Sequence, residues 1–320
     1  MFRKRLKKQE FVRDKAIPSE SPPKQYFNFH INFKPRFARK LEVHSVSRHF
    51  AEKHGTAYRA YRKEPCIITA FDSIVGKREN QQDSFYVTPS GRVSPFKMTR
   101  TFAVVCDGMG GLEAGDRASL TAVAMMKIAV NKLPLKRIDI PHFFSEMVDY
   151  IDCEINEWKD LATERGSGTT IVAALVENRR LYWVSVGDSS IFMFQDNTLK
   201  KITSEHNYKM YLDRLVSCGK MTREQAEKDP QQNSLLSYLG MGGVAYRDIN
   251  SKPYMMKNGD WLLLCTDGVT DTLTQDELAD IVRKNIDDAA VCCKEITAAV
   301  TEKNLLLQDN ATVVILQYIE

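Results

Sequence analysis

Five aspartates of this chain stand where an apolar run ends or begins. VVCDGMGG carries Asp107, LLLCTDG carries Asp267 and VSVGDSS carries Asp188, while Asp83 precedes FYV and Asp309 lies just before ATVVILQY. A carboxylate at a strand end is held at the rim of a sheet while its neighbours stay buried. Several such carboxylates together suit hard, oxygen-loving cations. Asp-Gly is also an ordinary turn pair, because glycine accepts positive φ and aspartate bonds the local backbone. One pair therefore says little, whereas this many acids at sheet ends are harder to assign to turns alone.

The glycine-rich run GMGGLEAG invites a nucleotide-loop reading, which its own templates reject. A dinucleotide fingerprint started at Gly108 puts Glu113 at the sixth position, facing the pyrophosphate. A phosphate loop started at Gly110 reaches Gly115 but continues with Asp116 and Arg117, where lysine and a hydroxyl residue are needed. The glycines fit better as places where a backbone carbonyl approaches a cation.

Positioning these acids takes strands, and the chain supplies them between longer helical stretches. CIITAFDSI, DSFYV and TFAVVC read as strands, and GLEAGDRASLTAVAMMKIAVNKL reads as a helix. HFFSEMVDYIDCEINEWKDL reads as a second helix, with Phe143, Met147, Tyr150, Ile151 and Ile155 at three-or-four spacing. TTIVAALVE and LYWVSVGD form a hairpin around NRR, continued by IFMF and LKKI. Residues 206–232 are polar and helix-prone, and Thr222 with Gln225, like Thr274 with Glu277, has capping-box spacing. DWLLLCTDG is a buried strand, a helix covers residues 287–306, and ATVVILQY closes the chain. Hairpins and paired helices without strict βαβ alternation indicate an α+β fold.

With 43% hydrophobic and 27% charged residues over 320 positions, a globular protein with a sizeable core is expected. No run is long and apolar enough to span a membrane, and MFRKRLKKQE has no apolar segment behind it, so no secretory signal is read. The seven cysteines are scattered and contain no CxxC pair, which fits a reducing, cytoplasmic compartment. Residues 1–65 carry 17 Lys and Arg against 6 Asp and Glu, leaving the rest of the chain at net −7. They read as a basic N-terminal extension; nucleic acid is not an expected partner.

Taken in order, GKRENQQDS, FAVVCDGMGG, GSGTT, VGDSS, ITSEH, DWLLLCTDG and DNATVV resemble the metal-dependent protein serine/threonine phosphatases of type 2C, the PPM family, in particular its bacterial-style members. The resemblance implies one phosphatase domain over residues 66–320, a four-layer β-sandwich of two antiparallel sheets flanked by antiparallel helices. It implies two divalent ions, Mg2+ or Mn2+, bridged by Asp107, with the carbonyl of Gly108 on the second and Asp267 and Asp309 on the first. Asp83 falls near the second ion, and Asp188 with Asp267 corresponds to a third site. Arg78 takes the place of the phosphate-binding arginine, where a planar fork matches two phosphate oxygens. Arg78 and Asp107 are thus the implied catalytic residues.

The implied reaction is hydrolysis of phosphoserine and phosphothreonine on proteins, by in-line attack of a hydroxide shared by the two ions. Phosphorylated proteins are the expected partners, with a Ser/Thr kinase or its targets, and the chain is expected to act as a monomer. Two alternatives stay open: a phosphatase of a small phosphorylated metabolite, and a catalytically weak binding protein of the same fold. Departures from the family pattern are Gln82 in the Asn-Glu-Asp segment, Met109 in place of a histidine, and Leu112, Ser190 and Glu205. Asn310 and His206 read as scaffold residues, and residues 205–240 match the position of the family's variable flap.

Overall fold

The computed structural model describes residues 65–94, 96–110, 114–157 and 167–320. The basic extension lies outside the described residues, apart from Pro65, and so do Leu112 and the end of the second expected helix.

Two antiparallel sheets form the centre. In the first, the order is β3 (Gly91–Arg92), β1 (Cys66–Ile74), β13 (Ala311–Ile319), β12 (Trp261–Cys265), β8 (Ser190–Gln195) and β9 (Thr198–Lys201). In the second it is β10 (Asp248–Ile249), β7 (Arg180–Val186), β6 (Ile171–Glu177), β4 (Arg100–Met109) and β2 (Asp83–Val87), with β11 (Tyr254–Met255) beside β7 and β5 (Gly168–Thr169) beside β4.

Period-two alternation explains why central strands read as continuous apolar runs. Along β12, Trp261, Leu263 and Cys265 enter one core while Leu262 and Leu264 enter the other. β13 does the same, with Val313 and Ile315 on one face and Val314, Leu316 and Tyr318 on the other. The core between the sheets also takes Val172, Ala174 and Val176 of β6 and Ala103 and Val105 of β4. The outer core of the first sheet is closed by Leu278, Ala279 and Val282 of one helix and Cys292, Cys293, Ile296 and Val300 of the next.

Those two helices are α6 (Gln275–Lys284) and α7 (Ala289–Glu302). α1 (Ala114–Lys132) packs on β4 and β2, and α2 (Ile140–Asn156) packs on β7, covering the second sheet. The layers are therefore helix, sheet, sheet, helix, as the resemblance implies. Both capping boxes form: Thr222 Oγ1 accepts from Gln225 N at the start of α4 (Arg223–Glu227), and Thr274 Oγ1 accepts from Glu277 N at the start of α6. α3 (Tyr208–Ser217) and α4 make up the polar segment before residue 232. α7 is shorter than the sequence suggests, starting behind the N-cap Asp288 and ending at Glu302, so residues 304–308 form a loop.

Candidate metal and phosphate site

The aspartates reach their places by different routes. Asp107 is not at a turn: β4 runs on to Met109, and Gly108 sits in strand pairing with Thr169. Glycine is needed at 108 for close approach, because a Cβ there would stand 2.1 Å from Gly115 O and 2.7 Å from Gln82 O. Asp83 opens β2 as the cross-strand partner of Asp107. Asp267 begins the single-turn α5 (Asp267–Thr270) directly behind β12. Asp188 follows Gly187, whose φ of +104° turns the chain between β7 and β8.

The backbone around Asp107 is tightly fixed. Its N–H donates to Thr170 Oγ1 at 3.0 Å, and its carbonyl accepts from Thr170 N at 2.9 Å and Thr169 Oγ1 at 2.8 Å. Asp83 Oδ2 is held by the hydroxyls of Thr266 at 2.9 Å and Thr312 at 2.7 Å. Its Oδ1 is buried without a partner, as is Oδ1 of Asp267. A buried carboxylate oxygen left unpaired is costly, and the ordinary remedy is a proton or a cation.

The electrostatics agree. Burial, with a smaller contribution from the carboxylates of Asp267 and Asp309, pushes Asp83 up to about 7 against the pull of its two threonine hydroxyls. Asp107 is raised well above the usual carboxylate range by burial first and by Asp83 and Asp267 next, and it shares a side-chain hydrogen bond with Asp267. Burial lifts Asp267 to about 6 and, with the charge of Asp267 beside it, lifts Asp188 to about 7. Asp271, at the end of α5, is raised too by burial and by Glu205 and Asp309. Glu205 goes the other way: burial opposes its charge, but hydrogen bonds from Lys201 and Asn207 outweigh it.

Asp309 lies at the edge of this group. Its Oδ2 accepts from Arg78 at 2.5 Å and its Oδ1 accepts from Asn310 N at 2.8 Å. Arg78 follows β1 in an exposed bend and is half-exposed. Asn310 is buried and ties its own segment to the loop between β1 and β2: Oδ1 accepts from Gln82 N at 2.8 Å, and Nδ2 donates to Val75 O at 2.8 Å and Asn80 O at 3.1 Å. Buried His206 accepts from Gly187 N through Nδ1 at 3.1 Å and lies 3.6 Å from Asp248. Both residues act as scaffold in this structure. Gln82, where an acid is common in the resemblance, serves through its backbone, accepting from Gly108 N and from Ser119 Oγ.

Among the described residues, no three His, Cys, Asp or Glu side chains are gathered tightly enough, as they stand, to hold one ion. Asp309 is drawn onto Arg78, and Asp107 shares its hydrogen bond with Asp267, so both contacts must loosen for a cation to be shared. The donors nevertheless fit Mg2+ or Mn2+: they are all oxygen, buried or half-buried, crowded with like charge, and two of their atoms, Asp83 Oδ1 and Asp267 Oδ1, lack any partner.

Sequence reasoning missed the threonines that steer Asp83. Thr266 and Thr312 are polar residues fully buried beside strand runs, and that interruption of an apolar pattern was the available signal. It also missed Asp152 of α2, a buried carboxylate accepting from the amides of Gly240, Gly242 and Gly243 at 2.8, 3.2 and 2.7 Å.

A sandwich with acids and an arginine at one rim is compatible with phosphoryl transfer, and the comparisons identify the class. The family model described as Protein phosphatase 2C matches residues 73–297. The chain belongs to the protein phosphatase 2C family. It is 29% identical over 223 residues to protein phosphatase PhpP of Streptococcus pneumoniae, covering 68% of this chain and 85% of that protein. It is 31% identical over 197 residues to serine/threonine phosphatase stp of Listeria welshimeri, covering 61% and 76%. The solved Mycobacterium tuberculosis serine/threonine phosphatase PstP/Ppp superposes with a TM-score of 0.65 at 24% identity, over 80% of this chain and all of that one. A further solved form, the catalytic domain of PstP with two manganese ions, aligns with a TM-score of 0.63 at 24% identity, again over 80% of this chain and all of that one.

Proposed function

We propose that this chain is a metal-dependent phosphatase that removes phosphate from serine and threonine residues of proteins. The observation that carries the reading is the set of buried, like-charged carboxylates with orphan oxygens on Asp83 and Asp267, set beside the half-exposed guanidinium of Arg78. Asp107, Asp267 and Asp309 would hold one divalent ion. Asp107, the Gly108 carbonyl and Asp83 would hold a second, and Asp188 with Asp267 a third. Bound there, Mg2+ or Mn2+ would activate water at neutral pH and draw charge from the phosphate oxygens. The two-manganese form of PstP supports that choice of ion.

The residues of this chain do the rest. Thr169 and Thr170 lock the backbone of Asp107, so its carboxylate stays fixed as charge moves nearby. The hydroxyls of Thr266 and Thr312 pin Asp83 Oδ2 and leave Oδ1 for the ion. Arg78 presents a planar fork of donors, and as its contact with Asp309 loosens the fork is free to receive two phosphate oxygens. Met109 carries no proton to give, and the acids that would hold the ions are ionised when they do so, so the leaving oxygen takes its proton from water.

The seven cysteines are all free thiols, which supports a reducing, cytoplasmic setting. A Ser/Thr kinase whose products are the substrates is the natural partner, and a monomer is the proposed acting form. The deciding experiment is hydrolysis of phosphoserine and phosphothreonine peptides with added Mn2+ or Mg2+, then with chelator. Metal-dependent release of phosphate is expected; peptides left intact while a small phosphometabolite is cleaved would reject the protein-phosphatase reading.

A further inference from the structure

Three consecutive leucines stand at the rim of the site. Leu306 and Leu307 are 85% and 87% exposed, Leu305 is 44% exposed, and they lead directly into Gln308 and Asp309. The loop is firmly held. Lys77 N donates to Gln308 O at 2.9 Å and Lys77 Nζ to Asn304 O at 3.4 Å, and Gln308 Nε2 donates to Gly268 O at 3.3 Å. Asn304, at φ 48°, turns the chain off α7 into this loop. The neighbouring loop, tied to it through Asn310 Nδ2 and Val75 O, adds Val75 at 41% exposure.

The result is an apolar edge on both segments that carry the Arg78–Asp309 pair. Fixed backbone and exposed apolar side chains are the features of a contact surface, since covering the side chains gains hydrophobic energy and no loop ordering is needed.

We propose that Leu305, Leu306 and Leu307, with Val75, form a subsite for apolar side chains flanking the phosphorylated residue of a protein substrate. The inference rests on the phosphatase reading above and extends it to substrate class. Continuity with the phosphate site selects this occupant. Leu307 is two residues from Asp309, whose carboxylate touches Arg78, and an extended peptide advances about 3.3 Å per residue. A phosphoserine whose phosphate lies at Arg78 would therefore have its nearest neighbours within reach of this loop. A small phosphometabolite has no flanking residues to cover them.

The test uses the full chain with Mn2+ and three substrates: N-acetyl phosphoserine amide, a phosphoserine peptide with leucine on both sides, and the same peptide with serine on both sides. The wild-type chain should prefer the leucine-flanked peptide by about tenfold in kcat/KM, through KM. In the Leu306→Ser, Leu307→Ser double variant the preference should fall towards unity, with the amide cleaved at the wild-type rate. Equal preference in both proteins overturns the subsite. A variant that changes only the sedimentation behaviour assigns the leucines to contact between copies and overturns it as well. Failure to cleave any of the three substrates overturns the phosphatase reading itself, a result separate from loss of preference.

Discussion

Asp83 and Asp107 are direct cross-strand partners, the first residue of β2 opposite the eighth of β4. Like charges in that relation oppose sheet formation. Here Asp83 is also buried, and both acids are raised from their ordinary range, by burial first and then by neighbouring carboxylates, Asp267 and Asp309 for Asp83 and Asp83 and Asp267 for Asp107. The sheet therefore brings together two groups that favour either a proton or a cation.

That relationship fixes a pH dependence for the metal-free protein. Asp83 and Asp188 are raised to about 7 and Asp267 to about 6, so the folded state holds their protons more tightly than the unfolded chain does. Stability from such groups is fully present below the unfolded carboxylate value and is lost as pH rises through 6 to 7. In excess chelator, Tm should be highest near pH 5 and fall by several degrees by pH 8. Saturating Mn2+ should abolish the fall, and Asp83→Asn should reduce it in chelator. A flat chelator profile by thermal unfolding would show that these carboxylates do not share one buried region.

Ligand-removing substitutions separate binding of phosphate from activation of water. Asp107→Ala and Asp267→Ala should lower kcat by two or more orders of magnitude on a phosphopeptide, with the fold retained by circular dichroism. Arg78→Ala should act mainly through KM, and Arg78→Lys should recover only part of it because a point charge replaces a fork. An unchanged KM in Arg78→Ala would remove that residue from the phosphate site.

Much of this arrangement was legible beforehand because its signals are local. A strand such as WLLLC, buried on both faces, reads as an apolar run, and both capping boxes appear as hydroxyl and Glu or Gln three residues apart. The acids announced themselves by standing against such runs. What could not be read is which acids oppose each other, since register joins Asp83 to Asp107 across 24 residues of chain. Nor could the Arg78–Asp309 pair be read, because it closes two loops over a separation of 231 residues. β4 running on through Asp107 was hidden for the same reason: the pairing of Gly108 with Thr169 is a tertiary contact.

Backbone crossings beneath the site make two glycines indispensable. A Cβ on Gly268 would stand 1.9 Å from Asn310 O, and one on Gly76, at φ +63°, would stand 2.2 Å from Asp309 O. Each obstacle is backbone of the segment that carries Asp309, so it cannot move aside without moving the acid. Gly268→Ala should cost roughly 3 kcal/mol in urea unfolding and lower activity at saturating Mn2+. Gly259→Ala, at φ +86° with nothing within 4 Å, should cost only about 1 kcal/mol, from backbone strain alone, and leave activity unchanged. Equal losses at the two positions would remove close approach as the reason for Gly268.

Asp152 connects α2 to the far end of the polar segment that follows Glu205. Its carboxylate gathers the amides of Gly240, Gly242 and Gly243, while the adjacent Leu239 exchanges backbone hydrogen bonds with Thr169, whose hydroxyl donates to the Asp107 carbonyl. A buried carboxylate accepting three N–H bonds is a strong local anchor, and its loss leaves three amides without an acceptor. Asp152→Ala should cost about 3 kcal/mol and raise protease cleavage within residues 205–243 before global unfolding. Asp152→Asn, which keeps one acceptor oxygen, should recover part of both. Because the anchor reaches Asp107 indirectly, through Leu239 and Thr169, kcat on N-acetyl phosphoserine amide should fall less than tenfold in Asp152→Asn. A loss as large as that of Asp107→Ala in a folded Asp152→Asn protein would mean that Asp152 does more than hold this segment in place.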